Sequence, residues 1–233
     1  MVYEISILSW NLNSSLAACL LNERFWEIIV THHIILIQET HLAHGQEGFL
    51  HIPEGYSMLS HPHHYKDDDD HPRLLLIWEG VVVIFWNHLN ISLLKDLCSP
   101  DFMAFSYANI LVFNAYVIPH NTMTDISLWS QEDPWESLQD RLAYALDGNA
   151  EIIVFMDTNT CIGSLLPQEG PPCDSIDVRV LTKRGQELVN ICDQLQLAIL
   201  NGAESTPGNH SQWTSFTLQP PAALRLNSGA FKV

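Results

Sequence analysis

Residues 32–42 read HHIILIQETHL. The run at 34–37 is apolar, short and β-branched, the pattern of a strand buried on both faces. It ends directly on Gln38, Glu39 and Thr40. Burying a lone carboxylate costs several kcal/mol unless something pairs with it. Either Glu39 turns into solvent, or a cation meets it at the strand tip.

The flanking sequence supplies the layers that such a strand needs. Alternation over 5–10 predicts a first strand. Leu16, Leu20, Leu21, Phe25, Ile28 and Ile29 recur at helical spacing behind Ser14 and Ser15, which can cap a helix. With the run at 34–37 this makes a β-α-β start. Residues 43–72 read as loop, rich in His, Gly and Pro. Strands are expected near 74–78, 80–86, 91–94, 102–106 and 110–116. A helix is expected over 135–146, a buried strand over 152–155, a helix over 184–195 and a short strand over 197–200. No repeat and no dividing linker is visible.

Composition bounds the function. The chain has 233 residues and 47% apolar content, enough for a sizeable core, and 16% charged residues, too few for a disordered chain. Ten basic against 27 acidic side chains give a net charge of −17, which argues against a basic nucleic-acid-binding face. It leaves open a site where a divalent metal supplies the positive charge. Five scattered cysteines without a CxxC pair read as free thiols in a reducing compartment. The start MVYEISILSW lacks a basic region before its apolar run, so no signal peptide is expected. LLLIWEGVVVIFW is broken by Glu79 and Gly80, so it reads as two strands and not a membrane span. An intracellular location, nuclear or cytoplasmic, and no membrane partner are the expectation.

Polar residues collect at strand ends. The first strand ends SWNLN, the second IQETH and the one at 152–155 MDTNT; these deliver Asn11, Glu39, Asp157 and Asn159. NILVFNAYVIPHN delivers Tyr116 in the same way. Strand ends are where sites gather in layered α/β folds. If the tips converge, they form a carboxylate–amide cluster whose oxygens suit Mg²⁺.

WN, QET, Y..P and D-x-N, in this order and on expected strand ends, resemble the endonuclease/exonuclease/phosphatase superfamily. EGVVVIFW resembles that family's GGVAI-type strand, and WTSFT the strand before its last motif. TKRGQELVNICDQLQLAILNG is most similar to the endonuclease domains of non-LTR (LINE-type) retrotransposons. The likeness runs from about residue 5 to about residue 217, with 218–233 as an irregular tail outside it. It implies a four-layer α/β sandwich of two mixed sheets flanked by helices, DNase-like. It also implies Mg²⁺ (or Mn²⁺) as cofactor. Glu39 would then be the main metal ligand with Asn11 beside it. Tyr116 would contact the phosphate, Asp157 would orient the attacking water and Asn159 would bind a phosphate oxygen. The substrate would be DNA or a phosphorylated small molecule; intact relatives carry a fused reverse transcriptase.

The sequence also departs from the family pattern. After His210 it holds no Asp or His, where the family's last motif supplies an acid/base group on a final strand. Met156 stands where a glycine is usual, and Thr158 replaces an aromatic. A C-terminally truncated domain lacking its last strand or strands is the expectation, hence an impaired Mg²⁺-dependent phosphodiester hydrolase. The alternatives are an inactive retroelement remnant or an interaction module that keeps the fold. Residue by residue, other readings stay open. Glu39 could be a solvent-facing acid, Asp157 and Asn159 could make a turn, and Tyr116 could be a packed aromatic. HPHHYKDDDDHPR has neither zinc nor EF-hand spacing and reads as a solvated acidic loop.

Overall fold

A computed structural model describes residues 5–42, 45–61, 80–99, 101–117, 133–148, 150–160, 181–199 and the backbone of 231–232. The chain divides into two compact units, one spanning Ile7–Thr158 and the other joining Met1–Ser6 to Asn159–Val233.

The larger unit is built from two sheets. Strands β1 (Ser6–Asn11), β2 (Ile34–Gln38), β3 (Tyr56–Ser60) and β4 (Val81–Trp86) form the first, in the order β3-β4-β2-β1. β1 and β2 are parallel, whereas β4 runs antiparallel to both β2 and β3. The second contains β5 (Ile91–Leu93), β6 (Phe102–Tyr107), β7 (Ile110–Tyr116) and β8 (Glu151–Asp157) in chain order, with only β7 and β8 parallel. Both sheets are therefore mixed.

Side-chain alternation sorts these strands into layers. Ile35, Ile37, Val82 and Ile84 point to one face of the first sheet. There they pack with Leu16, Leu20, Phe25 and Ile29 from helices α1 (Leu16–Cys19) and α2 (Glu23–Ile29) and the turn between them. The opposite face lies against β6 and β7 of the second sheet. Helix α3 (Pro134–Asp147) covers β8 with buried Leu138, Leu142 and Ala145. The result is the expected α/β sandwich of four layers. In the second sheet Phe102, Phe105 and Phe113 are among the largest fully buried side chains, Phe105 on the face that Asn114 turns to the first sheet and the other two on the opposite face. At about 25 cal/mol per Å² of apolar surface, such burial is the main drive for closing the sandwich.

The smaller unit contains helix α4 (Lys183–Leu195) and the two-residue strand β9 (Phe231–Lys232). Thr182 caps α4, its hydroxyl accepting from the Gly185 amide at 3.0 Å.

Three details differ from the sequence expectation. The helical pattern beginning at Leu16 is two helices, not one. Asn22 adopts an extended backbone and accepts from the Arg24 amide, so a fresh cap starts α2, and Leu21 is left 86% exposed. β3 lies in a stretch that reads as loop. Its alternation is only YSMLS, too brief to stand out from its His- and Pro-rich surroundings, and pairing with β4 makes it a strand. Residues 197–199 form no strand; Gln196 takes the left-handed C-cap conformation, and the Leu197 amide turns back to the Cys192 carbonyl at 2.8 Å. The strand expected at 74–78, the acidic stretch beyond His61, the WTSFT strand and all of the 218–233 tail except 231–232 lie outside the described residues. Cys19, Cys98 and Cys192 are free thiols, as expected of them.

Candidate active site

The parallel pairing of β1 and β2 sets Asn11 opposite Gln38 in register, so the two strands end side by side. Past this point the chains remain stitched. The amides of Leu12, Ser14 and Leu16 donate to the carbonyls of Gln38, Glu39 and Thr40 at 3.0, 3.4 and 2.8 Å. Those three bonds tie the turn into α1 to the β2 tip. The backbone at the tip is strained: Glu39, His41 and, on the β1 side, Asn13 have φ of 50°, 49° and 43°. Left-handed conformations cost a non-glycine residue free energy and cluster at functional sites.

Gly80 closes the other side of the tip. Its carbonyl accepts from the Thr40 amide at 3.2 Å, and its φ of 107° suits glycine. A Cβ at this position would sit 2.8 Å from the Thr40 hydroxyl. Thr40 itself is buried, and its hydroxyl has no partner among the described residues.

The second sheet contributes Asp157 and Tyr116, which face each other in the parallel β7–β8 register. The Val117 amide donates to the Asp157 carbonyl, and the Tyr116 amide to the Asp101 carbonyl, both at 2.8 Å. Tyr116 is 5% exposed.

The tips meet at Asn11. Its Nδ2 donates to Glu39 Oε1 at 3.0 Å and to Asp157 Oδ2 at 2.7 Å. Its Oδ1 accepts from the Asn13 amide at 2.8 Å, which fixes which way the amide faces. One side-chain nitrogen thus joins carboxylates from two sheets, 146 residues apart in sequence for the longer pair. All three side chains are half-buried. Hydrogen bonds to ionised acceptors are the stronger kind, and here they hold two like charges together. Asn159, exposed with φ 47°, belongs to the smaller unit.

Behind the tips lies a polar pair whose role the sequence reading missed. Gln38 and Asn114 are 2% and 0% exposed. Gln38 Nε2 donates to Asn114 Oδ1 at 2.5 Å and to Ser9 Oγ at 3.0 Å. Asn114 Nδ2 donates to the carbonyls of Ile37 and Val82, each at 3.1 Å. The available signal was an asparagine inside the apolar strand ILVFNAY, where a buried amide needs partners.

This architecture is the DNase I-like sandwich, the fold shared by the solved structures of endonuclease/exonuclease/phosphatase type that superpose on it. The endonuclease domain of TRAS1, a telomere-specific non-LTR retrotransposon, superposes with a TM-score of 0.54 at 16% identity, over 87% of this chain and 75% of its own. The catalytic domain of Xenopus laevis APE2 gives 0.53 at 15% identity, over 81% and 67%. A 3′ phosphatase from Neisseria, NExo, solved with a product DNA hairpin, gives 0.50 at 12% identity, over 82% and 71%. The sequence matches no protein-family model and no curated protein.

The fold family implies a divalent ion, and the donors can be tested against one. Glu39 offers hard carboxylate oxygens, only one of them bonded to Asn11 among the described residues, and Asp157 lies across the same amide. That chemistry fits Mg²⁺, which takes one or two carboxylates and keeps several waters. Asn11 presents nitrogen to the carboxylates, so as placed it orients them. Among the described residues, no group of three or more His, Cys, Asp or Glu is placed to hold a metal ion.

Proposed function

We propose that the chain is a divalent-metal-dependent phosphodiester hydrolase of the endonuclease type, acting on DNA. The observation that carries this reading is the Asn11 amide bonded at once to Glu39 and Asp157. It supports assigning Glu39 to the metal and Asp157 to the attacking water, because one amide holds both carboxylates. The names of the solved structures that share the fold, an endonuclease domain and a phosphatase bound to DNA among them, support a nucleic-acid substrate.

In this reading Glu39 holds Mg²⁺ or Mn²⁺. When bound, the ion would neutralise charge on the phosphoryl oxygens and stabilise the leaving oxygen. Asp157 aligns a water for in-line attack and accepts its proton. Asn11 keeps the two carboxylates at their separation through both stages. The family resemblance assigns Tyr116 to the phosphate, and Tyr116 stands in register with Asp157. Residues 211–233 contain no Asp or His. A second acid/base group of that kind, typically worth about 10²–10⁴-fold in rate, is not supplied by these residues.

The test is plasmid nicking with Mg²⁺ by the chain and by Glu39→Ala. Nicking that the substitution abolishes supports the reading; equal nicking by both refutes it. The net charge of −17 favours a second reading, a non-catalytic module that retains the sandwich, because duplex DNA repels an acidic surface. A Mg²⁺ titration that changes neither heat nor melting temperature would select that second reading.

A further inference from the structure

We infer that Gln38 and Asn114 form a buried latch between the two sheets that positions the catalytic tips, an inference resting on the hydrolase reading above. The bonding is complete enough to define one arrangement. Two backbone carbonyls, those of Ile37 on β2 and Val82 on β4, fix the NH₂ of Asn114. Its oxygen must then face Gln38, which presents Nε2 and ties in Ser9 of β1. One side chain from the second sheet is thereby bonded to two strands of the first and linked through Gln38 to a third.

The latch sits where its leverage on the site is greatest. Gln38 immediately precedes Glu39 and pairs in register with Asn11. Asn114 lies two residues before Tyr116 on the same strand face, and Tyr116 pairs with Asp157. Every residue of the cluster in this unit is within two positions of a latch residue or of its register partner.

Stability alone does not account for the pair. An apolar pair of the same shape would bury there at similar or lower cost, because burying amides gains little net free energy. Apolar faces, however, tolerate small sliding displacements, whereas a fully satisfied buried network selects a single arrangement. A displacement near 1 Å is enough to cost about 10²-fold in rate.

The experiment compares the intact chain with the double variant Gln38→Leu/Asn114→Leu, with Leu138→Ala as a control for lost stability away from the latch. The first readout needs no turnover: exchange of the Asn11 side-chain amide protons, followed by ¹⁵N-resolved NMR. The second is the split of nicking into kcat and KM. The expected result is a folded double variant with Asn11 exchange at least about tenfold faster, kcat lower by about 10- to 100-fold and KM unchanged. The control should keep both values of the intact chain. Unchanged Asn11 exchange in the folded double variant overturns the inference, as does full kcat. Should the double variant not fold, Gln38→Met cuts the link and leaves both carbonyl bonds of Asn114, and the same two outcomes decide. If the intact chain nicks nothing while Asn11 exchange still rises in the variant, the latch stands and the hydrolase reading falls.

Discussion

β2 and β8 each deliver one carboxylate to the site, but they are opposite kinds of strand. β2 lies between β1 and β4, and all five of its residues are buried. β8 has β7 as its partner, and of its seven residues only Phe155 is buried. Glu39 is held by what surrounds it: stitched loops, a strained backbone and Gly80. Asp157 is held by the Val117 amide and the Asn11 side chain among its contacts. The site therefore joins a fully buried strand to a half-buried one, and Asn11 with the latch behind it is the joint. Core substitutions in β2 should cost stability, whereas changes at the joint should cost geometry.

The largest effect should be on activity at the joint itself. Asn11→Ala frees the two carboxylates from their shared donor, and nicking should fall by about 10²-fold or more while the melting curve moves little. The next contrast is in stability. Ile37→Ala, at a fully buried position, should cost about 3 kcal/mol in urea denaturation. Val154→Ala, half-buried on β8, should cost about 1 kcal/mol. Equal losses would break the distinction between the two strands.

Gly80→Ala probes the wall beside Glu39. A Cβ 2.8 Å from the Thr40 hydroxyl, on a backbone with φ 107°, should cost about 1–3 kcal/mol and lower nicking as the tip shifts. The smallest effect is a change of sign. At Glu39, with φ 50°, the glycine variant should be more stable than the alanine variant by up to about 1 kcal/mol. At Asp157, in regular strand, alanine should be the more stable by about 0.5–1 kcal/mol. Thermal melts of the four variants check both signs.

How much of this the sequence carried follows from the physics of each part. The apolar runs that became β1, β2, β4, β7 and β8 were legible because a strand covered by layers must be apolar along its length. Their polar ends stood out against those runs, so Asn11, Glu39 and Asp157 could be named before any geometry. β3 was not legible, because a short half-buried strand owes its conformation to its neighbour. The break at Asn22 was hidden because apolar spacing carries across a cap. Asn114 was overlooked because its meaning depends on Ile37, Val82 and Gln38, none of them near it in the chain.

The account's central claim is that Glu39 and Asp157 act as one unit. A double-mutant cycle on plasmid nicking, using Glu39→Gln, Asp157→Asn and the pair, tests it most directly. Groups that work together lose most of their effect with the first substitution. The double variant should therefore be no more than a few-fold slower than the slower single variant. Rate losses that multiply across the two positions, or an intact chain that nicks no DNA, would contradict it.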